Sequence, residues 1–314
     1  MEETYWPRIA VLGAGAVGCY FGGMLARAGA PVTLIGRPPH IEAIARHGLF
    51  FDGQHFQQWI PVLASTQTSA ARDAEFVLLC VKTLDTEDAA RSLAPHLAPG
   101  AAVFSLQNGV DNVQRIRSAA HIDAFAAVVY VAAAMTAPGR IKHSGRGDLI
   151  LGDFPGIAGE DAHRRCQLER MALLFERAEV PCRISDNVEG ELWTKLIMNC
   201  AYNAISAIGR AHYHRTTGNP WTREVMLRVI EEAMAVARAA GVRLPEADMV
   251  GAVLAISHTM ADATSSMAQD LARGRRTEID SLNGYLARRG AELGVTTPVN
   301  QTLHALIKLL EESV

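Results

Sequence analysis

In the first half of the chain, short apolar runs alternate with stretches whose apolar positions recur at helical spacing. This alternation is typical of βαβ units and therefore of a mainly parallel sheet. The predicted strands are Arg8–Leu12, Pro31–Ile35, Phe76–Val81 and Ala102–Leu106, and the predicted helices are Ala16–Ala28, Thr86–Leu97 and Val110–Ser118. Two further strands, which we expect to be antiparallel, are predicted at Phe125–Met135 and Gly139–Leu151. They are followed by a loop at 152–156, a helix at about Asp161–Ala178 and a short strand at Pro181–Ile184.

After Ser185 the strand signals end, and helical periodicity continues along the rest of the chain. The predicted helices are Val188–Ala207, Pro220–Ala240, Ala247–Leu271, Thr277–Leu293 and Pro298–Glu312. Thr297 and Pro298 suit the N-cap and the first position of the last helix. The pattern therefore predicts an α/β chain, with a doubly wound sheet in residues 1–185 and an all-helical domain in residues 186–314.

A glycine-rich turn joins the first predicted strand to the first predicted helix. It carries the GxGxxG fingerprint of dinucleotide-binding sites, in Gly13, Ala14, Gly15, Ala16, Val17 and Gly18. In this fingerprint the first glycine makes a tight turn, the second lets the backbone approach a pyrophosphate, and the third allows close packing of helix and strand. The pyrophosphate then lies at the helix N-terminus. The N-terminal domain is therefore predicted to be a Rossmann domain that binds a nicotinamide dinucleotide.

The end of the second predicted strand indicates which dinucleotide is bound. A site for NAD usually has Asp or Glu there, but this chain has no acidic residue between Thr4 and Ile41. Arg37 occupies the position, and a guanidinium can bind the 2′-phosphate of NADP. We therefore expect NADP(H). Lys82 and Asn108 follow two later strands, where they could contact a ligand or serve only as turn residues.

A predicted helix in the second half carries a polar stripe. Lys195, Asn199 and Asn203 recur every four residues and share one face, whereas the neighbouring positions are mainly apolar. Burying these groups without partners would be costly, and a solvent-facing stripe would normally be richer in Glu, Lys and Arg. The pattern favours a stripe that faces a ligand. A second polar cluster lies at 265–280, where Thr277 could simply cap a new helix.

Composition and charge argue against several other classes of protein. The chain is 49% apolar and 20% charged with a net charge of −3, and acids lie close to the basic run at 273–276, so no nucleic-acid or membrane-surface binding is expected. The five cysteines are scattered, which favours reduced thiols. His212 and His214 lack a third ligand, so no metal is expected. Neither a signal peptide nor a membrane span is recognised, and a cytoplasmic location is expected.

The motifs taken together resemble those of one family. The segments GAGAVG (13–18), VKT (81–83), QNG (107–109), KLIMNCAYNAISA (195–207) and SSMAQD…RRTEID (265–280) are similar to those of ketopantoate reductase (2-dehydropantoate 2-reductase). They occur in the same order and cover essentially the whole chain. The resemblance implies an enzyme that reduces ketopantoate to pantoate with NADPH, for pantothenate and coenzyme A synthesis. It also implies a Rossmann domain followed by a helical domain.

The resemblance further implies roles for individual residues. Lys195 matches the catalytic lysine of the family, and Glu278 matches its active-site glutamate. The substrate-contacting positions are matched by Asn199, Asn203 and Ser266, and the cofactor-contacting positions by Arg37, Lys82, Asn108 and Glu278. A lysine ammonium can hydrogen-bond the keto oxygen and donate the proton, while a nearby carboxylate favours the charged form of the lysine.

One position departs from the family pattern. Tyr213 stands in a loop where the family often has a further substrate-contacting asparagine, so ketopantoate and another 2-oxo acid both stay open as substrates. A β-hydroxyacid dehydrogenase is disfavoured, because residues 186–194 lack the glycine-rich segment that usually precedes the lysine of that class. A non-catalytic NADP-sensing protein is the remaining alternative, although it would not need these polar residues for chemistry. The helical domain could support a homodimer.

Overall fold

The computed structural model describes residues 5–156 and 162–312. The chain divides into two compact units according to its internal contacts. Unit 1 comprises Met1–Gln107 and Asp111–Val188, and unit 2 comprises Asn108–Val110 and Glu189–Val314. The tripeptide 108–110 thus belongs to unit 2, although it lies in sequence between two segments of unit 1.

Unit 1 is built on one sheet. Its strands are β1 (Ile9–Leu12), β2 (Val32–Ile35), β3 (Leu49–Asp52), β4 (Gln57–Ile60), β5 (Leu63–Ser65), β6 (Phe76–Leu79), β7 (Ala102–Ser105), β8 (Phe125–Ala137), β9 (Arg140–Gly152) and β10 (Cys182–Ile184). They lie in the order β4-β3-β9-β8-β7-β6-β1-β2-β5, with β10 beside β9. The neighbouring strands β5, β2, β1, β6, β7 and β8 run parallel to one another. β8 and β9 form a long antiparallel hairpin.

The two ends of this strand order are close together in the chain. β4 ends at Ile60 and β5 begins at Leu63, so only residues 61 and 62 connect the first strand of the order to the last. Since such a connection spans at most roughly 11 Å, the sheet must curl. The buried core of the unit includes the aromatic side chains of Phe21, Phe51, Phe104 and Phe125.

The helices of unit 1 are α1 (Ala16–Arg27), α2 (Pro38–His47), α3 (Thr86–Leu93), α4 (Asn112–Ala120) and α5 (Ala162–Arg177). The strands and helices predicted for this part of the chain are confirmed, with ends that differ by a few residues. The predicted start of α5 at Asp161 lies outside the described residues. α2, β3, β4 and β5 were not predicted. The three strands have only three or four residues each and are separated by Gly53 and Pro61, so they are too short to show a clear period.

Unit 2 contains helices and no strand among its described residues. Its helices are α6 (Val188–Gly209), α7 (Tyr213–Gly218), α8 (Pro220–Ala239), α9 (Met249–Thr259), α10 (Ser266–Ala272), α11 (Asn283–Glu292) and α12 (Pro298–Glu311). α11 and α12 pack on each other and on α8. The predicted α/β class with a helical C-terminal region is confirmed. Among the described helices, none combines the length and apolar character needed to cross a membrane.

The single helix predicted over Ala247–Leu271 is wrong. α9 and α10 are separate helices, and the loop between them pairs with the start of α7. The N–H of Tyr213 donates to the carbonyl of Ala263 (3.0 Å), and the N–H of His214 donates to the carbonyl of Ala261 (3.1 Å). In this loop the carbonyls of Ala261 and Ala263 therefore accept hydrogen bonds from the start of α7. The short helix α7 was not predicted.

The predicted start of the helix over Thr277–Leu293 is also wrong, whereas the predicted N-cap position of the last helix is confirmed. The helix predicted over Thr277–Leu293 begins only at Asn283, after a single 3-10 turn. Thr297 stands at the N-cap position of α12, but its hydroxyl makes no cap hydrogen bond. Instead the carboxylate of Glu232, on α8, accepts the N–H groups of the first turn of α12 at 2.9 and 3.0 Å. A capping group supplied by another helix leaves no local signal in the sequence.

Candidate active site

The predicted glycine turn follows β1 and leads into α1. Gly13 has φ +114°, a conformation that side chains disfavour, and a Cβ there would lie 2.6 Å from the backbone of Cys80. A Cβ at Gly18 would lie 2.1 Å from the carbonyl oxygen of Gly13. A Cβ at Gly15, in contrast, would meet no protein atom within 4 Å. Packing within the protein therefore requires the first and third glycines, whereas open space surrounds the second.

The start of α1 has the properties of an anion site. Gly15 is its N-cap residue and supplies no side-chain cap, and the first turn contains no acidic residue. The N–H groups of a helix N-terminus attract anions through hydrogen bonding and the helix dipole. The turn itself is held to the neighbouring strand, because the N–H groups of Gly13 and Ala14 both donate to the carbonyl of Ile35, at 2.8 and 3.1 Å.

Arg37 lies just beyond the end of β2, at the N-cap position of α2. Its side chain is 85% exposed, and its guanidinium lies 3.4 Å from the carboxylate of Asp85. An exposed pair of this kind contributes little stability. Lys82 lies in the loop after β6, at the N-terminal end of the 3-10 turn Thr83–Asp85. Both predicted cations therefore follow strands of the parallel part of the sheet.

A buried hydrogen-bond network fixes the loop after β6 to the end of β7. The Gln107 carboxamide donates to the carbonyl of Val81 (3.1 Å) and to the Thr86 hydroxyl (2.8 Å), and it accepts from the Ser105 hydroxyl (2.9 Å). Gln107 is 5% exposed. Its amide is therefore used within the protein, a role that was not predicted from the sequence.

Three polar side chains of unit 2 form a hydrogen-bonded chain. Lys195 Nζ, on α6, donates to Asn108 Oδ1 at 2.8 Å. Asn108 Nδ2 then donates to Glu278 Oε2 at 2.9 Å. All three side chains are partly buried. The structure thus brings together an ammonium and a carboxylate that are 83 positions apart (278 − 195), with one carboxamide between them. The carboxamide orients both charges, because it accepts from one and donates to the other.

Asn199 and Asn203 extend this site along α6. Within residues 5–156 and 162–312, no protein group hydrogen-bonds the carboxamide of either residue. Asn203 is nevertheless only 4% exposed. The oxygen and nitrogen of its carboxamide are not fully buried, so they can bond a ligand or ordered water. The two amides and the Lys195 ammonium therefore offer polar contacts along one face of the helix.

The two adjacent serines of the second polar cluster differ in role. Ser265 is buried and is the N-cap of α10: its hydroxyl accepts from the N–H of Ala268 (3.1 Å) and donates to the carbonyl of Asn203 (3.1 Å). It therefore joins α10 to α6. Ser266 is exposed as the first residue of α10, and it is the one matched to substrate binding.

The loop histidines bond to backbone carbonyls. Nδ1 of His212 lies 2.7 Å from the carbonyl of Asp262, and Nδ1 of His214 lies 2.8 Å from the carbonyl of Ala261. They thus help to hold α7 against the loop between α9 and α10. Among the residues that the structure describes, no cluster of three or more His, Cys, Asp or Glu side chains is arranged to hold a metal ion.

Glu278 is flanked by residues that contact α12. Thr277 does not cap a helix; its hydroxyl accepts from the N–H of Ile279 (3.2 Å) and donates to Glu311 (2.7 Å). The Asp280 carboxylate accepts from His304 (2.7 Å) and is bonded by Lys308. Burial acts to raise the pKa of Asp280, but these hydrogen bonds outweigh it, and the pKa lies below its ordinary value.

This cluster predicts a loss of stability in acid. A carboxylate whose pKa is lowered by folding stabilises the folded state above its ordinary pKa, here 3.8, and that contribution disappears as the pH falls through the folded-state value. We expect Asp280→Asn to lower the free energy of unfolding at neutral pH by about 1–2 kcal/mol. The variant should also lose less stability than the wild type below about pH 4.

Urea unfolding followed by circular dichroism between neutral pH and pH 3 measures this effect. Glu292→Gln is the matched control, because Glu292 belongs to an exposed ion pair with Arg289 in the same unit. Parallel pH dependences of Asp280→Asn and the wild type would contradict the assignment.

Comparison with known proteins decides the family. Residues 9–156 match the family model described as "Ketopantoate reductase PanE/ApbA", and residues 187–311 match "Ketopantoate reductase PanE/ApbA C terminal". This chain belongs to the ketopantoate reductase family. The resemblance predicted from the motifs is thereby confirmed, and the protein is an oxidoreductase of the 2-dehydropantoate 2-reductase type.

This chain matches individual relatives over almost its whole length. It is 32% identical to the 2-dehydropantoate 2-reductase of Pyrococcus abyssi, over 96% of this chain and 97% of the relative. The crystal structure of a PanE/ApbA family ketopantoate reductase from Ralstonia eutropha JMP134 shares 48% identity and a TM-score of 0.90, over 98% and 99% of the two chains. D-mandelate dehydrogenase, solved with NADH and anilino(oxo)acetate, shares the fold, with a TM-score of 0.89 at 24% identity over 98% and 99% of the chains.

Proposed function

We propose that this ketopantoate reductase family member reduces the 2-keto group of 2-dehydropantoate with NADPH to give pantoate, and that Lys195 donates the proton. The observation that carries the proposal is the Lys195–Asn108–Glu278 chain beside the unpartnered amides of Asn199 and Asn203. The product would serve pantothenate and coenzyme A synthesis. Names of relatives at 32% identity over nearly the whole chain support the same substrate.

Residues of unit 1 fit a nicotinamide dinucleotide. The glycine turn leaves open space at Gly15, and the N-terminus of α1 offers N–H groups without a side-chain cap. Gly13 to Gly18 would hold the pyrophosphate there, and Lys82 would contact the cofactor. The exposed guanidinium of Arg37 suits a 2′-phosphate, with two donors in a plane. When bound, the dinucleotide supplies the hydride.

Lys195 would stabilise the charge that develops on the substrate. An ammonium has three N–H donors, and Asn108 Oδ1 accepts one of them. An N–H of this ammonium can bond the keto oxygen, which becomes negative as the carbonyl is reduced, and the ammonium then gives up a proton to that oxygen. The Glu278 carboxylate, through Asn108, favours the charged form of the lysine before the reaction.

The amides along α6 would orient the substrate. Asn199 and Asn203 each present a carbonyl acceptor and two N–H donors, which suit the hydroxyl and carboxylate groups of a 2-oxo acid. Ser266 would add a hydroxyl donor from the start of α10. Because these donors are neutral, they hold the substrate carboxylate without competing electrostatically with Lys195 for the developing charge.

A second candidate substrate is a 2-oxo acid with an aromatic or other bulky apolar group. Tyr213 packs on Tyr202 of α6, with ring centroids 4.5 Å apart, and burial raises its pKa to about 12. Among the described residues no protein group bonds its hydroxyl. A neutral phenol presents a larger apolar surface than the asparagine common in the family. The shared fold of D-mandelate dehydrogenase, which was solved with anilino(oxo)acetate, is compatible with such a substrate.

Oxidation of NADPH with a panel of acids tests the proposal. The panel contains ketopantoate, aliphatic and aromatic 2-oxo acids, and 3-oxo acids. We expect the highest kcat/KM with ketopantoate. A preference for an aromatic 2-oxo acid that Tyr213→Asn reverses would support the second candidate. Turnover of 3-oxo acids alone would indicate β-hydroxyacid chemistry, and NADPH binding without any turnover would indicate a sensing protein; either result would contradict the proposal.

Arg37→Ala tests the preference for NADPH. Loss of charge-assisted hydrogen bonds to a 2′-phosphate should raise the Kd for NADPH about 10- to 100-fold and leave the Kd for NADH nearly unchanged. Nicotinamide fluorescence during titration measures both constants. Arg46→Ala is the control, because Arg46 is an exposed arginine of the same helix, α2. Equal effects of Arg37→Ala on NADPH and NADH would contradict a 2′-phosphate contact.

A further inference from the structure

One face of α12 carries a row of polar side chains. Asn300, His304, Lys308 and Glu311 recur at intervals of three or four residues and therefore share that face of the helix. We call these four residues the α12 row. Each of them contacts a polar group of unit 2 outside α12, and none of them touches the Lys195–Asn108–Glu278 chain in the hydrogen bonds described above.

The C-terminal end of the α12 row holds the residue before Glu278. Glu311 Oε1 accepts from both the N–H and the hydroxyl of Thr277, each at 2.7 Å. Thr277 is 1% exposed and the side chain of Glu311 is 7% exposed. The contact is therefore shielded from water, and removal of the carboxylate would leave a buried N–H without its partner.

The middle of the α12 row holds the residue two positions after Glu278. Asp280 is bonded by His304 (2.7 Å) and by Lys308 (3.1 Å), and Lys308 also bonds Glu311 (2.7 Å). A Cβ at Gly284 would lie 2.7 Å from the His304 ring, so only glycine allows α11 to begin this close to α12. The segment that carries Glu278 is thus fixed on both sides.

The N-terminal end of the α12 row reaches α6. Asn300 accepts from Asn283 Nδ2 at 2.9 Å, and Asn283 Nδ2 also donates to the carbonyl of Cys200, next to Asn199, at 3.2 Å. Both asparagines are fully buried. Glu232 accepts from Asn300 Nδ2 (2.7 Å) and so completes the connection to α8. One helix therefore bonds the Glu278 segment directly and the α6 backbone through Asn283.

The backbone around Glu278 has little regular structure to fix it. Glu278 precedes a single 3-10 turn, Ile279–Ser281, and an α-helix begins only at Asn283. Hydrogen bonds that anchor the neighbours of Glu278 therefore help to fix the position of its carboxylate. A displacement of about 1 Å in a catalytic group can lower a rate about 100-fold. Thr277 and Asp280 are anchors in this segment, and the side chains of both are bonded to α12.

We infer that the α12 row is a positioning device that holds Glu278 at hydrogen-bond distance from Asn108 and thereby fixes the Lys195 ammonium. The inference rests on the proposed function, because it takes Glu278 and Lys195 to act in the reduction. The four residues of the α12 row are positioning residues, because they act on the reaction through Glu278. Among the four residues, replacement of Glu311 should lower kcat most, because Glu311 bonds both Thr277 and Lys308.

A double-mutant cycle on Glu311 and Glu278 tests the inference. Glu311→Ala should lower kcat about 10- to 100-fold, with a smaller change in KM and with the Kd for NADPH unchanged. Glu311→Gln keeps an oxygen that can accept from Thr277 and should recover most of the activity. Glu312→Ala is the matched control, because Glu312 is the next residue and is exposed. In the Glu278→Gln background, Glu311→Ala should lower kcat less than about twofold further.

Each outcome supports or overturns the inference. If Glu311→Ala lowers kcat equally in the wild-type and Glu278→Gln backgrounds, the effect is on the fold alone and the inference is overturned. A kcat of the Glu311→Ala single variant within twofold of the wild type would also overturn it. If Glu311→Ala does not fold, Lys308→Met carries the same cycle, because Lys308 is partly exposed and bonds both Asp280 and Glu311. A normal kcat for Glu278→Gln itself would instead contradict the proposed role of Glu278, which keeps the two failures distinguishable.

Discussion

Lys195→Ala is expected to lower kcat by about 1,000-fold while the Kd for NADPH stays within about twofold of the wild-type value. The expected loss has two parts, because in the proposed mechanism the side chain both stabilises the developing oxyanion and supplies the proton. Most of the NADPH affinity should persist, because Lys195 is not among the residues proposed to bind the cofactor. A variant that binds the cofactor normally but does not turn over separates chemistry from binding.

Lys195→Arg sharpens this test. Arginine keeps the positive charge and can still hydrogen-bond the keto oxygen, but its pKa is too high for it to donate a proton readily. We expect intermediate activity, with kcat below that of the wild type and above that of Lys195→Ala. Lys142→Ala is the control, because Lys142 is an exposed lysine on β9 of unit 1. A kcat for Lys195→Ala within tenfold of the wild type would remove Lys195 as the proton donor.

Gly15→Ala is expected to raise the Kd for NADPH by about 100-fold without lowering the melting temperature. A Cβ at this position meets no protein atom within 4 Å, and the backbone there has φ −87°, which alanine adopts without strain. The added methyl group would occupy the space through which a pyrophosphate approaches the N-terminus of α1. The expected loss therefore arises from the ligand alone.

Gly18→Ala provides the opposite case. A Cβ at Gly18 would lie 2.1 Å from the carbonyl oxygen of Gly13, so this variant should lose stability as well as cofactor binding. Thermal unfolding and NADPH titration of both variants give the comparison. Normal NADPH affinity in a well-folded Gly15→Ala variant would contradict the placement of the pyrophosphate at this turn.

The sequence predicted the parts of the site that depend on local pattern. The strand, glycine turn and helix at Gly13–Gly18 are recognisable because each has its own short-range signature, and the four-residue spacing of Lys195, Asn199 and Asn203 is sufficient to place them on one helix face. The family resemblance then pointed to Glu278. The position of Asn108 between Lys195 and Glu278 was not predicted.

The missed features depend on partners that are distant in the chain. Asn108 and Lys195 are 87 residues apart in the sequence. Glu232 caps α12 by accepting the N–H of Asn300, which lies 68 residues after Glu232. A helix was predicted to begin at Thr277, but the hydrogen bonds from Thr277 to Glu311 favour a different backbone there. Local propensity has no access to such tertiary contacts, and the predicted helix over Thr277–Leu293 failed for that reason.

Transfer of deuterium from NADPH to the substrate tests the central claim most directly. The experiment uses wild-type enzyme, ketopantoate and NADPH that carries deuterium at both positions of nicotinamide C4, with the product examined by mass spectrometry and proton NMR. The account predicts pantoate with one deuterium on C2, formed in proportion to the NADPH consumed. Consumption of NADPH without deuterium on C2, or no reaction with ketopantoate or any other 2-oxo acid, would contradict it.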